Sequence, residues 1–350
     1  MLGNKREITS GNDSTNNQAE VINIHNHGLT FSDAREIATD VFKANIIQLS
    51  TYAANEAFER AISMIEKFLA KLEREAPEAI NEFANPSMQD TFFQAQKEYA
   101  LNGDDEIADM LVEMLVERAK SPVRNRKRMV LDEGLKVASK LTLEQMDLLT
   151  ITHFRFWTTR NNEPNFYTLV KSLNMEFVLM DNIDISEVDE DLLFLEYLGL
   201  GKLSESSHYY SMEESMLTRY PAYFCKGFLL EECHVPEIPK EQLFIPCFHD
   251  STKYQLKFEN KGNLIASLRD NGLTEERIIF ISSFFDSHLF AQHEIANLLT
   301  PHIPNYKKLV EMYNSTSWKK FDISKVGMSI ALSNYYRRYG EKHDLSTWVK

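Results

Sequence analysis

The chain has 350 residues, of which 43% are hydrophobic and 26% charged, a composition typical of globular proteins that bury a core. Its formal net charge of −14 disfavours a general affinity for nucleic acid or anionic membrane, so no specific nucleic-acid partner is expected. Three cysteines, no apolar leader and no run of about 18 apolar residues predict a cytoplasmic protein without a disulfide framework or a conventional membrane-spanning helix.

The first 28 residues combine an Asn/Gln-rich tract with a short β-branched alternation. Amide side chains of this kind form ladders between identical stacked strands. A lone strand is unstable and no hairpin partner lies close by, so the pattern predicts a β segment that pairs with sister subunits. The alternative is a disordered polar N-terminus. The residues predicted to carry oligomerisation are Asn16, Asn17, Gln18, Val21, Ile22, Asn23, Ile24 and His25.

A helical bundle is predicted over residues 29–160. Residues 33–76 contain neither glycine nor proline, which allows one long helix of about 66 Å. The apolar seam changes face near residues 51–55, which indicates either a break there or two different packing partners. Start and stop signals then predict four further helices, over 86–101, from 104 through 115, over 122–137 and over 142–156.

A second, mainly helical domain is predicted over residues 161–350, after a polar turn. The fold class is therefore mainly α: an N-terminal bundle with a long first helix, a short N-terminal β segment, and a second mostly helical domain with a few short strands. In this domain, helices are predicted at 166–177, 188–198, 263–269, 274–288, 292–299, 305–313 and 323–339, and strands at 242–248 and 253–258.

Two segments of opposite charge are candidates for partner binding. Residues 120–128 carry five cations and no carboxylate, whereas residues 181–200 carry seven carboxylates and no base. Short charge runs are most often solvated surface, but opposite patches also allow pairing between subunits or domains. In the basic segment the candidate partner-binding residues are Arg124, Arg126, Lys127 and Arg128.

The chain lacks the common catalytic motifs. It has no Walker loop, dinucleotide-binding glycine fingerprint or nucleophile elbow, so a non-enzymatic protein without a cofactor is expected. Cys233 and His234 with Cys247 and His249 form the best metal-like cluster. Their spacing matches no common zinc finger, and buried cysteine is the simpler interpretation, so no metal site is predicted.

Three resemblances bear on function. Residues 11–24 are similar to the Asn/Gln/Ile motifs of bacterial and fungal amyloid-signalling proteins, although Ala19 and Glu20 stand where a turn glycine is common. The chain, notably residues 32–37, 95–100 and 109–113, resembles an uncharacterised bacterial family that pairs such an opening with a helical body, and residues 323–331 resemble the ends of predicted abortive-infection proteins. These resemblances imply a role in phage defence and assign no catalytic residue.

Three functions are compatible with these patterns. The leading hypothesis is a homo-oligomerising antiphage defence effector or sensor, switched on by a phage or host protein and able to disrupt or associate with a membrane after assembly. The alternative is a helical adaptor that binds a protein through one of the charged segments. A metal-dependent hydrolase or nuclease comes third.

Overall fold

The computed structural model describes residues 28–45, 51–160, 163–205 and 209–349. These residues form mainly α-helices with a few short antiparallel strands, which confirms the predicted fold class. The helices are α1 (Phe31–Asn45), α2 (Thr51–Glu75), α3 (Pro86–Asn102), α4 (Asp105–Ala119), α5 (Arg126–Ala138), α6 (Leu143–Trp157), α7 (Phe166–Phe177), α8 (Val188–Tyr197), α9 (Met212–Arg219), α10 (Lys240–Leu243), α11 (Lys261–Asp270), α12 (Glu275–Ser287), α13 (Gln292–Leu299), α14 (Tyr306–Ser315) and α15 (Lys325–Tyr339). The strands are β1 (Gly201–Leu203), β2 (Phe244–Pro246), β3 (Tyr254–Leu256) and β4 (Phe321–Ile323). Short 3₁₀ helices cover Pro77–Ala84, Val178–Asn182, Ile185–Glu187, Pro221–Phe224, Leu230–Cys233, Ser317–Lys320 and Leu345–Thr347.

No helix in the described ranges combines the length and the apolar composition that crossing a bilayer requires.

The helix starts of the first half follow the capping residues of the sequence. Asn85 caps α3, Asp104 caps α4, and Thr142 forms a capping box with Gln145 at the start of α6. Each of these side chains satisfies backbone N–H groups that the first helical turn leaves unpaired. Local chemistry therefore sets these boundaries.

Of the alternatives left open for residues 33–76, the structure supports a break rather than one continuous helix. The structure gives two helices, α1 and α2, and they pack against each other. Arg35 Nη1 lies 3.1 Å from Glu66 Oε1, whereas a continuous helix would separate these residues by about 46 Å. The rings of Phe42 and Phe58 likewise approach to 6.4 Å between centroids. The change of apolar face therefore reflects a fold-back, because each half packs against the other.

Helix α5 begins later than predicted. The expected start was Pro122, but the first helical residue is Arg126. The side chain of Asn125 caps the helix by accepting a hydrogen bond of 2.9 Å from the backbone N–H of Arg128. Residues 120–125 therefore form a connection rather than a helical turn, and this places the basic segment partly on a loop.

The strands form two antiparallel pairs. β2 and β3 pair within the two predicted strand segments, which confirms them in shorter form. β1 pairs with β4, so that Gly201 lies opposite Ile323, and neither this pairing nor α9 was predicted. A Cβ atom at Gly201 would lie 2.1 Å from the Phe321 ring, so this strand needs glycine to accommodate its partner. Such distant pairings leave no local periodicity to detect.

Helix α15 lies at the centre of the largest hydrophobic cluster. It packs against α4, α5 and α6, and the cluster extends from Ala34 to Val349. A Cβ atom at Gly134 would lie 2.6 Å from Met114 and 2.7 Å from Ser329, so α4, α5 and α15 approach closely there. The predicted domain boundary at residues 160–161 stays a prediction, although the described core continues across it.

A buried polar network joins α6 to α15; we name it the Asp147 network. Asp147 and Asn334 are both 0% exposed. Asp147 Oδ1 accepts hydrogen bonds of 2.9 Å from Asn334 Nδ2 and from Arg338 Nε. Its Oδ2 accepts from Arg338 Nη2 and, at 2.9 Å, from Asn182 Nδ2. Asn334 Nδ2 also donates to Thr150 Oγ1 at 2.9 Å. Both carboxylate oxygens are therefore paired, as a buried charge requires.

Residues 340–349, which we name the C-terminal strap, follow α15. They place the ammonium group of Lys342 beside three carboxylates. Lys342 Nζ lies 2.7, 3.1 and 3.3 Å from oxygens of Glu117, Glu113 and Glu75. Burial favours the neutral form of Glu75, but the hydrogen bond from Lys120 and the nearby lysine charges lower the pKa of this carboxyl to about 2. The beginning of the strap is thus fixed by charge.

The same strap covers the buried imidazole of His153. His153 is 0% exposed, and neither of its ring nitrogens has a hydrogen-bond partner. Its ring centroid lies 4.6 Å from that of Trp348 in an edge-to-face arrangement. Burial, with smaller contributions from the charges of His343 and Lys325, lowers the pKa of His153 to about 3. The imidazole is therefore neutral in the folded protein near pH 7.

Candidate functional site

Residues 181–197, which we name the acidic surface, carry the seven carboxylates of the predicted acidic segment. None of the seven forms an ion pair with any residue that the structure describes. Their partners are neutral: Asp189 accepts from the Ser317 N–H at 2.7 Å, and Asp191 accepts from Gln145 Nε2 at 2.8 Å. Burial, followed by the like charges of nearby carboxylates, raises the pKa of Asp191. The charge of Lys308, whose Nζ donates to the Met180 carbonyl, acts on Asp184 without forming an ion pair. The described chain therefore leaves most of the negative charge of this surface uncompensated.

Helix α8 adds exposed apolar side chains to this surface. Leu193 is 59% exposed, Phe194 38% and Tyr197 83%. The rings of Phe194 and Tyr197 stack with centroids 6.4 Å apart. Other side chains of the helix, Val188, Leu192 and Leu195, are buried and face the core. Apolar side chains on both sides of one short helix are more than the core needs, and exposed apolar groups rimmed by charge mark interaction sites.

Only some of the predicted basic residues are exposed to a partner. Arg128 is 8% exposed, and its guanidinium donates to the Pro122 carbonyl and to Ser87 Oγ. Lys127 Nζ lies 3.1 Å from Asp344 Oδ1 of the C-terminal strap. Arg124 and Arg126 are exposed. The structure thus uses Lys127 and Arg128 to hold its own chain together, a use that no sequence spacing reveals.

The cysteines and histidines of the metal-like cluster are not assembled into a site. Cys247 Sγ lies 3.3 Å from the carbonyl oxygen of Cys225, and His249 Nε2 lies 2.8 Å from the Tyr223 carbonyl. Burial raises the thiol pKa of Cys225 and Cys233 to about 11, which disfavours the thiolate that zinc requires. Within the described ranges, no group of three or more ligating side chains is arranged to hold a metal ion.

The predicted oligomerisation residues, Asn16 to His25, lie outside the residues that the structure describes. Sequence reasoning missed two other features. The exposed apolar side chains of α8 could not be recognised from the sequence, because the buried Val188 and Leu192 lie at helical spacing in the same apolar segment. The buried Arg155 was hidden because its surroundings come from α9 and α14, far away in the chain.

The fold defines a mainly helical protein whose acidic surface also exposes apolar side chains. One protein-family model matches residues 28–349, and the chain belongs to that family, whose description reads only ":-like". This description names no substrate, ligand or partner. No curated protein and no solved structure matches the chain. Inferences about activity therefore depend on the geometry of this protein.

Proposed function

We propose that the protein is a non-enzymatic protein-binding module whose acidic surface receives a basic, amphipathic segment of a partner protein. The observation that carries this proposal is the coincidence of seven carboxylates without ion pairs and three exposed apolar side chains on and around α8. Charge complementarity favours a basic partner. Lysines and arginines of the partner's segment would pair with the carboxylates, and its apolar side chains would cover Leu193, Phe194 and Tyr197.

The two kinds of side chain have separate roles in this proposal. Aromatic and leucine side chains that are covered on binding supply most of the affinity. The carboxylates speed association and select against acidic partners, because exposed charges act mainly on encounter and specificity. Binding is therefore expected to weaken as salt is added, but not to disappear.

Charge reversal on α8 tests the proposal. The probe is an 18-residue amphipathic peptide of leucine, lysine and arginine, with a scrambled peptide of the same composition as its reference. Glu187→Lys with Glu190→Lys is expected to weaken binding of the amphipathic peptide at least tenfold, since losing about 1.4 kcal/mol of charge complementarity has that effect. Fluorescence anisotropy measures the affinity.

Two controls make this experiment specific. Glu73→Lys with Glu78→Lys changes the net charge equally at exposed positions outside the acidic surface and is expected to leave binding within twofold. Leu193→Ser with Tyr197→Ser is expected to weaken binding without changing its salt dependence. Equal affinities of the Glu187/Glu190 variant and the unchanged protein, or equal binding of the scrambled peptide, would contradict the proposal.

We also propose that copies of the chain assemble through residues 16–25, because their Asn/Gln-rich alternation favours pairing between copies. In this second proposal the protein acts in phage defence, as an effector or sensor that oligomerises and then acts on a partner or a membrane. Light-scattering chromatography is expected to find the full chain as an oligomer and a chain starting at Leu29 as a monomer. Dye leakage from liposomes, if caused by assembly, is expected only from the full chain. Monomeric elution of both proteins at high concentration would remove this proposal.

A further inference from the structure

The end of α6 buries an arginine that has no counter-ion among the described residues. Arg155 is 3% exposed, and its Nη2 atom has no hydrogen-bond partner. Its Nε donates to the sulfur of Met212 at 2.9 Å, and a thioether is a weak acceptor for a charged group. No carboxylate in the described ranges forms an ion pair with Arg155. A buried charge left in this state is strongly unfavourable.

A second arginine makes the charge imbalance larger. Arg219 Nη1 donates to the carbonyl oxygen of Arg155, and Arg219 also has no ion pair among the described residues. The buried carboxylate of Glu176 is engaged by Arg160 at 2.7 Å. Burial, and then the charge of Arg219, lowers the pKa of Arg155 to about 10, so Arg155 keeps its charge at neutral pH. Glu176 also lies within the field of Arg219, but its ion pair is with Arg160. The two neighbouring cations, Arg155 and Arg219, therefore have no described carboxylate in direct contact.

A buried hydroxyl completes the arrangement. Tyr306 of α14 is 0% exposed, and its Oη atom has no hydrogen-bond partner. Burial raises the pKa of Tyr306, while the charge of Arg155 acts in the opposite direction, which places the two groups in each other's field. The hydroxyls of Tyr220 and Tyr313 are both engaged with backbone groups. Tyr306 therefore stands out as a donor without an acceptor.

We propose that Arg155, Arg219 and Tyr306 form a binding site for the oxyanion group, phosphate or carboxylate, of a small ligand. An oxyanion would accept hydrogen bonds from Arg155 Nη2 and Tyr306 Oη and would neutralise the paired guanidinium groups. Arginine is the side chain best suited to such a group, since its N–H donors match carboxylate and phosphate oxygens. Arg219 is only half-buried, so the site opens to solvent on its side. This site is separate from the acidic surface.

Stabilisation by small anions tests the site in the full chain. The probes are inorganic phosphate and acetate, each compared with chloride at equal ionic strength. At ten times its dissociation constant, a bound anion is expected to raise Tm by about 2 °C, from mass action and the unfolding entropy of a chain of this length. A rise with phosphate alone identifies a phosphate site, and a rise with both identifies the shared oxyanion chemistry.

Three variants locate the effect. Tyr306→Phe removes one hydroxyl and is expected to weaken anion binding about tenfold, and Arg155→Met to abolish it; calorimetric titration measures both. Arg269→Met, at an exposed arginine of α11, is the matched control and is expected to keep the full effect. If Arg155→Met does not fold, Tyr306→Phe still decides, because it removes no charge and little volume.

One residue of the chain competes for the role of the anion. Glu213 of α9 is half-buried, and its charge acts on Tyr306. If Glu213 were the counter-ion, Glu213→Gln would destabilise the protein as much as Arg155→Met, and no anion would raise Tm. That result, or an anion effect that persists in Tyr306→Phe and Arg155→Met alike, would overturn the proposal.

Discussion

Replacing Asp147 by alanine is expected to lower the free energy of unfolding by about 3–5 kcal/mol, the cost of breaking a buried charge pair by removing one partner. The substitution leaves Arg338 without its carboxylate and removes an acceptor from Asn334 at the contact between α6 and α15. Because α15 also packs against α4 and α5, the loss weakens the centre of the core rather than one edge.

Chemical denaturation followed by circular dichroism measures this effect. Asp90→Ala is the matched control, because Asp90 is an exposed carboxylate of α3 and its loss is expected to change stability by less than about 0.5 kcal/mol. A similar, small change for both variants would show that the Asp147 network contributes little. A smaller slope of unfolding free energy against denaturant concentration for Asp147→Ala would show that the compactness of the native or unfolded state has changed as well.

Lowering the pH from 6.5 to 5 is expected to cost the protein about 2 kcal/mol through His153 alone. The pKa of His153 is about 3 in the folded protein and 6.5 by reference in the unfolded chain, so the unfolded chain binds the proton first. Stability is therefore unaffected above pH 6.5, falls as the pH drops below it, and stops falling through this group near pH 3. The groups facing His153 are Trp348, Phe154, His343 and Lys325, and none of them is a carboxylate that would stabilise the protonated imidazole.

His153→Leu separates this contribution from that of other groups. Burial also lowers the pKa of His343, so the acid sensitivity of the variant is expected to be reduced rather than abolished. Glu75 has its pKa lowered to about 2 and contributes only at lower pH, below its ordinary value of 4.5. His293→Gln, at an exposed position, is expected to leave the profile unchanged. Parallel pH–stability curves for His153→Leu and the unchanged protein, from thermal unfolding, would contradict the prediction.

Much of the helical architecture was predictable because its signals are local. Asn85, Asp104 and Thr142 act within three residues of their own position, so a reader of the sequence sees both the cap and its target. The start of α5 was predicted wrongly because two local signals, at Pro122 and Asn125, compete there. The choice between one long helix and a break within residues 33–76 stayed open, because helix propensity does not report a fold-back that tertiary packing stabilises.

The candidate sites were less predictable because they depend on residues that meet only in three dimensions. The sequence identified the basic segment, residues 120–128, and the acidic segment, residues 181–200. It did not show that Asp344 reaches Lys127 or that the acidic surface forms no ion pair with the described residues. It also gave no sign of Arg155, since a single arginine in a helix is ordinarily a surface residue.

By itself, then, the sequence determined the helical class, most helix boundaries, the β2 and β3 segments and the position of the uncompensated acidic segment. These follow from apolar periodicity, capping side chains and composition, which act over a few residues. Only the tertiary structure decided the fold-back of α1 on α2, the central place of α15, the pairing of β1 with β4 and the burial of Arg155 and His153. Burial and charge compensation depend on which distant elements pack together, and the free energy of that packing belongs to the whole core.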